Sequence, residues 1–201
     1  MTEETTLLEK QNLEQARFIF IVGATGTGKT ALAFKILEKL NKEAYVLRHP
    51  KPELLKPLGY TNLRSVEDIA RLRDCAVYID EPQLILNEKS YKTIPLLLKL
   101  ISLSRHRNIN LILSTSDTRS ITSALEAYID LWLIKNVDYS TTKQRGIIRE
   151  ALRENSFISP SEIELKNNEF ISHSFKLKAF NGFHSFNLAD GWTDSLSISY
   201  R

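Results

Sequence analysis

The chain has 201 residues, 42% hydrophobic and 25% charged, with a formal net charge of +3. This composition excludes wholesale disorder and suits one domain with a real core, while so small a charge neither demands nor excludes a nucleic-acid partner. A lone cysteine, Cys75, excludes an intramolecular disulfide and any Cys-x-x-Cys metal site.

The N-terminal "MTEETTLLEKQNLEQ" is acidic and has none of the basic start and apolar centre of a secretion signal. Residues 3–16 predict a short helix. "FIFIV" (18–22) predicts a buried strand, continuous in apolar residues and stopped by glycine. "KTALAFKILEKLN" (29–41) carries helical spacing, and "AYVLR" (44–48) reads as a strand. "HPKPELLKPLGY" is proline-punctuated and loop-like. "SVEDIARLRD" opens on Ser65 with Asp68 three residues on, a helix-capping pattern. "AVYID" (76–80) is a second buried strand; "YKTIPLLLKLISLSRHR" is a helix with Pro95 tolerable only in its first turn. "NLILST" (110–115) and "DLWLIK" read as strands, and "SITSALEAY" and "TTKQRGIIREALRE" as helices. From about residue 156 the period falls to two, with Asn and Gly turn signals, which predicts a small antiparallel or mixed extension at a sheet edge. No apolar run approaches the roughly 20 residues of a membrane helix. The expectation is an intracellular α/β protein with a mostly parallel sheet flanked by helices, one domain over 1–201: an N-terminal helix (1–16), a core (17–155) and a β-rich extension (156–201).

Between the first strand and its helix stands "GATGTGKT", which fits G-x-x-x-x-G-K-[ST] from Gly23 to Thr30. Gly23, Gly26 and Gly28 let the backbone curl until its N–H groups face phosphate oxygens, together with Ala24, Thr25, Thr27 and the helix start at Lys29, Thr30 and Ala31. Lys29 reaches the β- and γ-phosphates, and the Thr30 hydroxyl serves Mg²⁺. The loop by itself does not choose between ATP and GTP.

"CAVYIDEPQ" supplies the second element. An acid at a strand end, Asp80, suits Mg²⁺ held through water, and the adjacent Glu81 suits a general base that polarises the attacking water. A small-molecule kinase needs no such base. The third element is "SRHRNINLILSTSDTR" (104–119). Ser114, Thr115 and Ser116 are candidates to contact the γ-phosphate or the water, Asp117 less so; Arg105, Arg107 and Arg119 suit stabilising transferred charge or plain surface charge. Between Lys89 and Asn108 stand five Lys or Arg (Lys89, Lys92, Lys99, Arg105, Arg107) and no acid, a face suited to phosphate, to DNA or to solvent alike. Lys143, Arg145, Arg149 and Arg153 read more simply as a solvated helix face. His49, His106, His173 and His184 show no paired metal spacing.

This series, a P-loop, "YIDEPQL", a helix ending "SRHR" and then "INLILSTSDTR", resembles the FtsK–HerA superfamily of P-loop ATPases. The short length resembles its viral branch, the genome-packaging ATPases of icosahedral viruses with internal membranes. The resemblance covers about residues 17–135. It implies a RecA-like fold, ATP with Mg²⁺ as ligands, and a homo-oligomer, a hexameric ring around double-stranded DNA. Lys29 and Thr30 match Walker A, Asp80 and Glu81 match Walker B, and Arg105 or Arg107 matches the arginine before the sensor strand. The sensor itself departs from the pattern: Ser114-Thr115-Ser116-Asp117 stands where cellular members carry Thr-Gln, and Ser116 is the assignment carried forward. The resemblance implies a motor that packages a viral genome into a preformed capsid, in the host cytoplasm or on the virion, with a capsid or membrane protein at the packaging vertex as partner. A Zot-like phage assembly or secretion ATPase and a DNA-binding nucleotide switch without translocation are the alternatives.

Overall fold

Phe18–Val22 forms strand β1, and all five residues are buried. A strand with no polar face needs cover on both sides. Phe18, Phe20 and Val22 enter one core, and Ile19 and Ile21 enter another, as a period of two dictates. The computed structural model describes residues 6–82, 93–118, 123–138, 145–156 and 164–197.

The other strands are β2 (Glu43–Leu47), β3 (Thr61–Leu63), β4 (Cys75–Asp80), β5 (Asn110–Thr115), β6 (Leu131–Ile134), β7 (Glu169–His173) and β8 (Gly182–Ser185). They form one sheet in the order β3-β2-β4-β5-β1-β6-β7-β8. The pairings from β3 to β6 are parallel, and those of β6 with β7 and β7 with β8 are antiparallel. Among the described residues the α-helices are α1 (Lys10–Leu13), α2 (Lys29–Leu40), α3 (Val66–Ile69), α4 (Thr93–His106), α5 (Ser123–Glu126) and α6 (Gly146–Glu154). Residues of α2 fill the core on the Ile19 face; Leu97, Leu100 and Ile101 of α4 and Ile147, Ile148, Ala151 and Leu152 of α6 fill the opposite core. This is the RecA-like α/β arrangement expected, with β5 inserted between the strand that leads into the glycine loop and the strand that ends in Asp80.

Three details differ from the reading of the sequence. Of the helix expected over residues 3–16, residues 3–5 lie outside the described residues, and residues 6–16 hold a 3₁₀ turn, Thr6–Leu8, followed by the four-residue α1. Leu7, Leu8, Leu13 and Ala16 are all buried, so packing rather than helix propensity shapes this short segment. Strand β3 is only three residues and carries too little periodicity to be read. The proline-rich loop contains two 3₁₀ turns, Pro52–Leu54 and Lys56–Leu58, each with proline near its start. The cap of α3 does form: the Ser65 backbone N–H donates to Asp68 Oδ2 at 3.0 Å.

The segment beyond 156 continues the main sheet. Phe170, Phe186, Ala189 and Leu196 share a core with α2, and the Trp192 ring packs 5.5 Å from that of Phe34. His49 is buried there as well. Its Nδ1 accepts from Lys51 N at 3.1 Å, which leaves Nε2 to donate to the Leu196 carbonyl at 3.2 Å. Burial pushes the Cys75 thiol up to about 12, which keeps it protonated and inert.

Candidate active site

The ends of β1, β4, β5 and β6 meet at the C-terminal edge of the parallel sheet, where such sheets place their sites. Gly23 to Gly28 crosses this edge between β1 and α2. Gly26 and Gly28 lie at φ 81° and 85°, in the left-handed region that a side chain rarely adopts. The Gly23 N–H donates to Thr115 O at 3.3 Å and the Ala24 N–H to Asn136 O at 2.7 Å, so neighbours on both sides fix the loop. Thr27 Oγ1 donates to Ala24 O at 2.8 Å, while Thr25 and Gly26 form the exposed crest. No side chain caps α2, which runs for 12 residues. Its N-terminal dipole end and first N–H groups face the loop, an arrangement that suits an anion. Lys29, Thr30 and Ala31, in its first turn, are buried. The Lys29 ammonium donates to Ala24 O at 3.1 Å and lies 4.0 Å from Glu81 Oε1. Burial lowers its pKa, and Glu81 and Asp80 oppose that shift.

Across the loop, Asp80 is buried at the end of β4. Its carboxylate accepts from the Ser114 hydroxyl of β5, which also bonds the Tyr78 hydroxyl at 2.8 Å. Tyr78 reaches Thr30 as well. A chain of hydroxyls thus joins the two residues expected to serve a metal. Burial, more than any neighbouring charge, pushes Asp80 up to about 6.

Glu81 sits at φ 41°, an uncommon conformation for a residue with a side chain. Three bonds to the end of β5 hold it there. Its N–H donates to Ser114 O at 2.8 Å, its Oε2 accepts from Thr115 Oγ1 at 2.9 Å, and its Oε1 accepts from Ser116 N at 2.8 Å. The end of β5 therefore grips the candidate base directly, and Ser116 does so through its backbone. Asp117 N caps Thr115 Oγ1 at 3.0 Å.

Arg105 and Arg107 do not join this cluster. Helix α4 ends at the N-terminal edge of the sheet, the edge opposite the glycine loop. There Arg105 donates to Asp130 Oδ1 and to Tyr128 O, at 3.3 and 3.2 Å. The Arg107 carbonyl accepts from Asp74 N at 2.9 Å. Arg145 is also committed, to Thr118 O and to Glu126. Lys89, Lys92, Arg119 and Lys143 lie outside the described residues. No cluster of metal-binding His, Cys, Asp and Glu occurs among the described residues, and no described helix is long and apolar enough to cross a membrane.

Sequence reasoning missed Tyr78 and the group Lys135, Asn136 and Asn167. Tyr78 was accessible: in a strand it shares a face with Asp80, two residues on. The others meet the glycine loop only because β6 lies beside β1 and β7 beside β6.

None of the curated proteins matches the sequence significantly. The fold is similar to that of the genome packaging NTPase B204 from Sulfolobus turreted icosahedral virus 2, solved with AMPPCP, at TM-score 0.60 and 16% identity, over 86% of this chain and 98% of that one. B204 from Sulfolobus turreted icosahedral virus, described as a DNA-packaging ATPase, gives 0.61 and 14% over 85% and 98%. The cytoplasmic domain of the Thermomonospora curvata Type VII secretion ATPase EccC gives 0.60 and 12%, over 89% of this chain and 24% of that one. At such identities the likeness is one of fold, and it is the fold that the resemblance to FtsK–HerA ATPases implied. The family model described as Type III restriction enzyme, res subunit, matches residues 3–121, more than half of the chain, and the chain belongs to that family of P-loop NTPases.

Proposed function

We propose that the chain is an ATPase that couples hydrolysis to movement of double-stranded DNA, packaging a viral genome into a preformed capsid. The observation that carries the hydrolytic part of this reading is the placement of Glu81 between the phosphate loop and the end of β5, 4.0 Å from Lys29 and tied to Thr115 and Ser116. A hydrolase needs a base at the γ-phosphate end; a phosphate-binding loop alone does not.

Residues Gly23 to Ala31 hold the phosphates, and Lys29 leaves the Ala24 carbonyl to bridge the β and γ groups. Thr30 and Asp80 would hold Mg²⁺, and their all-oxygen donor set, with hydroxyls rather than a fixed cation hydrogen-bonded to the Asp80 carboxylate, fits that ion. When bound, the ion neutralises charge that develops on the phosphates. Glu81 orients and deprotonates the attacking water once its carboxylate exchanges its β5 partners for that water. The Ser116 N–H and Thr115 hydroxyl then report on the γ-phosphate.

A homo-oligomeric ring of six completes the site. Arg105 and Arg107 are too far round the sheet to act within their own subunit, and a neighbour's arginine would supply the missing positive charge. The fold likeness to B204 along nearly its whole length supports packaging, with a capsid or membrane protein at the vertex as partner and action in the host cytoplasm or on the virion. Hydrolysis measured with and without long double-stranded DNA tests the reading. Stimulation by DNA supports a motor, and robust hydrolysis indifferent to DNA at low salt contradicts it.

A further inference from the structure

Lys135, the last residue of the expected strand "DLWLIK", follows β6 and is fully buried, yet no role was expected of it. Its ammonium donates to the backbone carbonyls of Asn167, at 2.8 Å, and Glu169, and lies 5.2 Å above the Phe186 ring. Its backbone N–H donates to Val22 O at 2.8 Å, and its Cβ lies 2.5 Å from where a Cβ on Gly23 would sit. The next residue repeats the pattern. Asn136 O receives the Ala24 N–H, and its side chain bonds both backbone groups of Leu165 at 2.7 and 2.9 Å. Turn 165–169 is thereby fastened to the phosphate loop. The closest approach is at Gly28, where a Cβ would stand 2.4 Å from Asn167 O.

Direction follows from the sheet order. Asp80, Glu81 and Thr115 mark the γ-phosphate end, on the β4–β5 side of β1. A triphosphate laid along the loop runs away from them, so its nucleoside leaves on the β6–β7 side. Turn 165–169 stands there, with the Asn167 side chain exposed beside the start of α2. Burying an ammonium is costly, and burial depresses Lys135 to about 7. An apolar side chain would join the strands at less cost.

We propose that Lys135 is a positioning residue of the nucleotide site, which fixes turn 165–169 as the wall against which the nucleoside end of the bound triphosphate rests. This rests on the nucleotide-binding reading above. The test compares ATP with inorganic tripolyphosphate, which lacks a nucleoside, by calorimetric titration of wild type, Lys135→Met and Asn136→Ala. Asn136→Ala cuts the tie to Leu165 without removing a buried charge, and carries the test if Lys135→Met fails to fold by circular dichroism. The expected result is ATP binding weakened about tenfold in each variant, with tripolyphosphate binding within about twofold of wild type. Equal weakening for both ligands, or none for either, overturns the proposal and leaves the nucleotide site standing. Wild-type protein that binds neither ligand overturns the nucleotide reading and the wall together.

Discussion

Two aspartates lie at opposite edges of the same sheet, Asp80 at the C-terminal end of β4 and Asp130 at the N-terminal start of β6. They are almost equally buried, at 3% and 4% exposure, so their difference lies in their partners. Asp130 has Arg105 at 3.3 Å, Lys176, and the Phe18 N–H at 3.0 Å. Asp80 has hydroxyls as partners, and the Lys29 ammonium acts on it only weakly. A carboxylate tied to two cations and a backbone donor fastens β1, α4 and the stretch after β7. A carboxylate buried among hydroxyls is short of positive charge, which is the condition a divalent ion relieves. Asp130 is compensated where it lies, while Asp80 is buried at a cost to the fold, which the proposed metal would offset.

The sharpest break in this comparison is Asp80→Asn. Hydrolysis should fall at least about 100-fold if the acid serves the metal, while the fold should gain stability at neutral pH. The sign follows from the raised carboxyl. Asp80 titrates at about 6 when folded against an ordinary 3.8, so its ionised form disfavours the fold above pH 6, and the penalty disappears as pH falls toward 3.8. Wild type measured against Asp80→Asn by denaturant unfolding should therefore gain up to about 3 kcal/mol between pH 7 and pH 4. A flat difference across that window would mean that Asp80 is already compensated.

Asp130→Asn should do the reverse. Loss of the buried charge destabilises the protein by about 2–3 kcal/mol in the same unfolding assay, with hydrolysis per folded molecule nearly unchanged. A collapse of hydrolysis without loss of stability would move Asp130 into the working part of the molecule. Thr115→Val removes one of the bonds to the Glu81 carboxylate and should cost about 1 kcal/mol, read as a shift in the denaturant midpoint. Arg105→Ala is the smallest effect on the fold. Its side chain is 39% exposed, and the change should cost less than about 1 kcal/mol. If a neighbour's Arg105 completes the site, the same variant loses hydrolysis about 100-fold or more at ring-forming concentration; unchanged turnover leaves Arg107 as the remaining choice of the two.

The glycine loop was legible because its chemistry is local. One strand, a motif of eight residues that ends in the first turn of a helix, and that helix contain it, with glycines that backbone geometry requires. Asp80 and Glu81 were legible because an apolar strand that ends in two acids has few other uses. The grip of Thr115 and Ser116 on Glu81 was half legible: the hydroxyl residues were marked, but their contact depends on β5 lying next to β4. Lys135, Asn136 and Asn167 were hidden, because no spacing in the chain announces that β6 and β7 border the loop. The position of Arg105 and Arg107 was available from topology. A helix that precedes a parallel strand ends at that strand's N-terminal edge, away from the site.

The measurement that tests the account most directly is steady-state ATP hydrolysis with Mg²⁺ by the purified protein and by Glu81→Gln, each with and without long double-stranded DNA. The proposed role of Glu81 in a DNA motor predicts turnover that rises with DNA and falls by about 10²- to 10⁴-fold in the variant, while ATP binding persists. Glu81→Gln turning over like wild type would contradict it.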